Sequence, residues 1–177
     1  MWKKYLIIII LFYLFALLQN SFFVHFALFG ASPNLVFALF FLLLFFERGG
    51  IYKVIFLSAI AGIFLDLFSD YYLGVSVLLL SLLAFLFKKL LALLRNDEEG
   101  AQFVYYLPLF IIFLFAYNAL FKLFIYFFDA SKGLMFLSEE TIPYLIYSSL
   151  VAALLFYVYK KFFAKKTDNR QLRLFNR

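Results

Sequence analysis

Long apolar runs separated by short polar punctuation make up most of this chain, and the runs are continuous where strands would alternate. A helix crossing roughly 30 Å of hydrocarbon needs about 20 apolar residues, and helices or closed barrels alone satisfy the backbone there. The pattern therefore predicts an all-α, polytopic membrane protein with six transmembrane helices, over about residues 5–24, 35–46, 51–68, 73–94, 103–128 and 142–163. The first run follows Met1-Trp2-Lys3-Lys4, a charge pattern that signal peptides share. Its core is too long for one, and no small-residue cleavage site follows, so it reads as a retained helix.

The second run opens with Ser32-Pro33-Asn34, where Ser32 is expected to cap the helix and Pro33 to take its first position. Its 12 residues, Leu35 to Phe46, span only about 18 Å at about 1.5 Å each, so this helix should be short or reach the interface through its flanks. Gly49-Gly50 separates it from the third run, and the charged stretch Arg95 to Gly100 separates the fourth from the fifth. Asn118 and Lys122 interrupt the apolar surface of the fifth, and Pro108 is placed to kink its first turns. Pro143 falls in the first turn of the sixth, behind Glu139-Glu140, whose charges suit that helix's positive end.

Charge gives the spans a direction. Fourteen of the sixteen Lys and Arg fall at the N-terminus, around residues 48–53, around 88–95 and from Lys160 to Arg177. Lys132 is the one basic residue in the opposite loops, and Lys122 lies within the fifth run. The positive-inside rule then places both termini and the even-numbered turns in the cytoplasm. A six-helix membrane domain over 1–165 and a basic cytoplasmic tail over 166–177 follow. That tail suits anionic lipid headgroups, at about 1 kcal/mol per basic residue.

Composition narrows the function classes. With 67% hydrophobic residues the chain has more apolar surface than a compact soluble fold can bury. The net charge of +6 is sorted by loop, which argues against nucleic acid. No Cys and one His, His25, leave no thiolate site, no disulfide and no histidine-built metal centre, so no cofactor is expected. His25 reads as an interface residue. A rhomboid-type protease would need a membrane His, phosphatidyl or prenyl transferases several spaced Asp, and a phosphate-binding enzyme a glycine-rich loop; the chain has none of these, so no enzyme activity is expected.

The polar feature that stands out is the turn between the third and fourth runs, Gly62-Ile63-Phe64-Leu65-Asp66-Leu67-Phe68-Ser69-Asp70-Tyr71-Tyr72-Leu73-Gly74. Asp66 lies inside an apolar helix and must be held by a partner group or by water. Ser58, Gly62 and Asp66 share one helix face, where small residues let another helix approach closely. Two readings stand for this stripe: a docking face for a partner, or internal packing ending in a helix-end carboxylate. Lys122 sits at a similar depth and could neutralise Asp66, or each could reach the interface alone. Asn118, one turn before Lys122, could hydrogen-bond across the bundle.

With Gly62, Asp66, Ser69-Asp70 and Gly74 so placed, the chain resembles the MreD family of bacterial rod-shape-determining inner-membrane proteins. The family pattern has a Gly, an Asp four residues on, a short polar outer turn and a Gly opening the next helix. Pro33-Asn34-Leu35 resembles the family's Pro-Asp-Leu, with Asn34 in place of Asp. The resemblance implies a fold like the six-helix S components of small-solute transporters. It also implies a non-enzymatic scaffold of the cell-elongation, peptidoglycan-synthesis machinery. Its partner would be the single-span protein MreC, with indirect links to MreB, RodA and a class B penicillin-binding protein. Ser58, Gly62, Asp66, Asp70 and Gly74 would serve that contact, with Asn118 and Lys122 as structural polar residues. The alternative is a solute-binding S component, which would need an outer polar pocket built from residues such as Asn20, His25, Asp66 and Asn118.

Overall fold

The computed structural model describes residues 2–27, 30–47, 50–69, 72–94, 102–128 and 140–164. These form six helices: α1, Trp2–Leu17; α2, Leu35–Phe46; α3, Ile51–Leu67; α4, Val75–Leu94; α5, Gln102–Phe128; and α6, Thr141–Tyr159. α1 runs on into a π-helical turn, Leu18–Phe22, and α6 into another, Lys160–Ala164. Three helical stretches are long and apolar enough to cross a membrane: Tyr5–Phe22, Tyr105–Phe128 and Thr141–Phe162. α2 starts and ends where its apolar run does. α4 begins two residues later than the run suggested, because Gly74, at φ +100°, stands outside the helix.

The shortest helix is the central one. Ten of the twelve residues of α2 are buried, all round its circumference. It packs against α1, α3, α5 and α6. A helix that is apolar on every side belongs either in lipid or inside a bundle, and here its neighbours enclose it. Phe37, Phe41 and Phe45, one turn apart, form its aromatic spine. Phe41 meets Phe87 at 4.8 Å, Phe110 at 5.4 Å and Tyr106 at 5.5 Å between ring centres. Phe45 meets Tyr106 edge-on at 5.3 Å. Such pairs contribute about 0.5–1.5 kcal/mol each beyond area burial, which matters because lipid supplies little hydrophobic drive for helix association.

α3 and α4 form the most extensive helix pair. Ser58, Ala61 and Gly62 are buried on α3. A Cβ on Gly62 would collide with the Val77 backbone of α4 and come within 2.8 Å of Val77 Cγ2. Ser58 returns its hydroxyl to its own helix, at Val54 O, 2.8 Å away, and so adds no polar demand to the interface. Large apolar side chains on α1, α4 and α6, such as Leu6, Leu78, Leu150 and Leu154, are exposed, as a lipid-facing surface requires.

Candidate functional site

Two helices begin inside the bundle, and buried polar side chains, Asn34, Asp66, Ser76 and Ser148 among them, gather at their N-termini. The first backbone N–H groups of a helix lack intrahelical partners. Orphaned away from water, each costs about 1–3 kcal/mol. Side chains supply the acceptors here.

At α4 the acceptor is Asp66, which is 2% exposed. Its Oδ2 accepts from Gly74 N at 2.7 Å and its Oδ1 from Ser76 N at 3.0 Å. A carboxylate at a helix N-terminus also meets the positive end of the helix dipole. Gly74 holds a positive φ of +100°, a backbone conformation that favours glycine, and its carbonyl accepts the first helical bond of α4, from Leu78 N at 3.0 Å. Behind Asp66 the turn closes on its carbonyl, which accepts from Ser69 N at 3.2 Å and Ser69 Oγ at 3.0 Å. Asp66 thus clips the end of α3 to the start of α4.

At α2 the cap is Asn34, not Ser32 as the sequence pattern suggested. Asn34 Oδ1 accepts from Phe37 N at 2.8 Å. The reason lies across the bundle: Asn34 Nδ2 donates to Tyr144 Oη at 2.9 Å, and Asn34 N donates to Ser148 Oγ at 3.0 Å, both on α6. Gln19 Oε1, from the π-helical turn after α1, accepts from Val36 N at 3.3 Å. No local signal around residue 34 could have revealed partners more than a hundred residues away; the Pro-Asn-Leu triplet marked the place without naming them.

The two caps are joined through α5. Ser76 Oγ and Tyr117 Oη share a hydrogen bond at 2.9 Å, and the Tyr117 ring lies 5.4 Å from Phe37 of α2. Asn118 bonds back to Leu114 O at 3.2 Å. Lys122 donates to Thr141 Oγ1 at 3.3 Å, at the start of α6. With both Asp66 oxygens engaged by backbone donors, the carboxylate is held without Lys122; the ion pair found among the described residues is Lys53–Glu47, 3.3 Å, at the opposite end. There Lys88 Nζ also donates to Glu47 O, at the end of α2.

Of the residues singled out in the sequence, Ser58, Gly62 and Asp66 are all buried on α3, and Gly62 and Asp66 meet α4. Gly74 joins Asp66 by hydrogen bond, whereas Asp70 and Glu139 lie outside the described residues. Glu140 occupies the N-cap of α6 without a side-chain capping bond. His25 is exposed on the turn after the π-helical stretch. Among the described residues no cluster of acidic or histidine side chains is arranged to hold a metal.

Two cavities flank this network. One, of about 200 Å³, is lined from all six helical segments by residues that include Asn20, Asn34, Ser76, Tyr117, Asn118 and Tyr144. The other is an open apolar groove of about 530 Å³ between the N-terminal end of α4 and the C-terminal end of α5, lined by Tyr72, Leu73, Val77, Leu78, Phe124 and Phe128. The turn that Asp66 closes forms one wall of that groove, with Leu73 73% exposed at its edge.

Neither a curated protein nor a solved structure matches the chain. The sequence model of the rod shape-determining protein MreD matches residues 2–166, and this chain therefore belongs to the MreD family.

Proposed function

We propose that this protein is a non-enzymatic scaffold of the bacterial cell-elongation complex, a six-span inner-membrane bundle of S-component-like form that binds MreC and links it to the wall-synthesis machinery. Family membership carries the reading. The distribution of Lys and Arg supports cytoplasmic termini, with the Asp66 turn on the outer side. The basic residues of 166–177, outside the described part, would then meet anionic headgroups from the cytoplasm.

In this reading the docking place for the single membrane segment of MreC is the apolar groove between α4 and α5. The groove is an open apolar gap on the surface, and in lipid a close van der Waals fit is what holds helices together. Asp66 and Gly62 act one step back from the contact. Gly62 sets how closely α4 approaches α3, and Asp66 fixes the turn that carries Tyr72 and Leu73 to the groove.

The test is co-purification of MreC with tagged protein from native membranes. Leu78→Trp, which fills the groove, and Asp66→Ala, which releases its wall, should each reduce MreC recovery several-fold while membrane insertion stays normal. Wild-type recovery from both variants would refute the docking assignment.

A further inference from the structure

A half-open cavity with polar walls takes in water, or a solute able to replace water's hydrogen bonds. The 200 Å³ cavity beside the two helix caps has three properties that define such an occupant. First, the residues lining it include no Lys, Arg, His, Asp or Glu, and Asp66 behind it has both oxygens committed to Gly74 N and Ser76 N. An ion would enter without a counter-charge. Second, its polar groups are amides and hydroxyls that retain unused capacity. Gln19 and Asn20 each spend one end of the carboxamide on the protein, at Val36 N and Ala16 O. Their other ends, Gln19 Nε2 and Asn20 Oδ1, have no hydrogen-bond partner among the described residues, with Gln19 half-buried and Asn20 exposed. A purely apolar occupant would strip water from these groups and return nothing. Third, Phe64, Phe68 and Phe121 also line it, and aromatic side chains suit the C–H face of a ring whose edge carries hydroxyls.

The π-helical turn Leu18–Phe22 is what brings Gln19 and Asn20 to this cavity, and π-turns of this kind recur at functional sites. The volume equals roughly seven water molecules at about 30 Å³ each, the bulk of a hexose or less. Combining these, we propose that the cavity is a binding site for a small uncharged polyhydroxylated molecule of hexose size. Because the π-helical turn after α1 and each of α2 to α6 contribute to its wall, occupancy ties these segments together and stabilises the bundle. The site is separate from the α4–α5 groove, and its test needs no partner protein.

The experiment is a titration of the purified, detergent-solubilised protein with glucose, read by native mass spectrometry and by the thermal unfolding midpoint. One glucose per chain and a saturable rise in midpoint are expected. Gluconate, which replaces the neutral end with a carboxylate, should bind at least tenfold more weakly. Asn20→Leu and Asn118→Leu, whose unliganded midpoints report that they fold, should each shift the glucose titration at least tenfold to higher concentration. Absence of saturable glucose binding by the folded wild-type protein overturns the proposal. So does equal binding by the two variants, or gluconate binding as tightly as glucose.

Discussion

Removing the carboxylate at Asp66 tests the central structural claim, that the start of α4 is held by a side chain of α3. Asp66→Ala leaves Gly74 N and Ser76 N, now 2.7 and 3.0 Å from the two carboxylate oxygens, without an acceptor in a water-poor site. At about 1–3 kcal/mol per orphaned donor the loss is about 2–6 kcal/mol. Hydrogen bonds within bilayers have measured smaller, about 0.6 kcal/mol on average, because the unfolded chain also finds partners there. The lower end, about 2 kcal/mol, is therefore expected. Asp66→Asn keeps one acceptor oxygen but turns an amide N–H₂ towards the second donor and loses the charge at the helix dipole, so about 1–2 kcal/mol should be lost. The assay is reversible unfolding in mixed micelles with rising denaturing detergent, followed by helical signal. A double-mutant cycle with Lys122→Met should be additive within about 0.5 kcal/mol, since Lys122 donates to Thr141 while Asp66 serves the backbone. Refutation would be an Asp66→Ala protein within about 0.5 kcal/mol of wild type, or a coupling to Lys122 of about 2 kcal/mol, which would mark an ion pair as the true holder.

Two further outcomes follow from the same geometry. Asn34→Asp should cost less than about 1 kcal/mol, because a carboxylate oxygen still caps Phe37 N and Tyr144 Oη can reverse to donate, whereas Asn34→Leu should cost about 2–4 kcal/mol through lost capping and an orphaned donor; the same unfolding assay ranks them. The chain has no Cys, so single cysteines placed at Tyr72 and at Lys161 report sidedness directly: a membrane-impermeant maleimide should label the first in intact spheroplasts and the second only after the membrane is opened, and the reverse pattern would overturn the orientation.

How much of this was legible beforehand differs by element. The bounds of α2 and the six-helix count could be read directly, because an apolar run must end where polar or breaking residues begin, and that is local information. Gly62 and Asp66 could be marked as special, since a small residue and a carboxylate in an apolar helix each need a reason. What held Asp66 was not readable. The candidates on the same depth were side chains, and the actual donors are backbone N–H groups eight and ten residues on. Ser32 and Asn34 are equally good capping residues, and Asn34 caps α2 because Tyr144 and Ser148 of α6 fix it there.

The sequence by itself determined the membrane class, the helices and, through its loop charges, the expected direction of insertion, because length, apolarity and Lys/Arg placement act segment by segment. Only the tertiary structure decided that the shortest helix lies at the centre. In a soluble protein, polar faces separate outside from inside; in lipid both surroundings of a helix are apolar, so Phe37, Phe41 and Phe45 of α2 read no differently from lipid-facing residues until neighbours enclose them. The polar cavity has the same origin, since amides and hydroxyls scattered from Gln19 to Tyr144 become one site only when six helical segments converge on two buried helix ends.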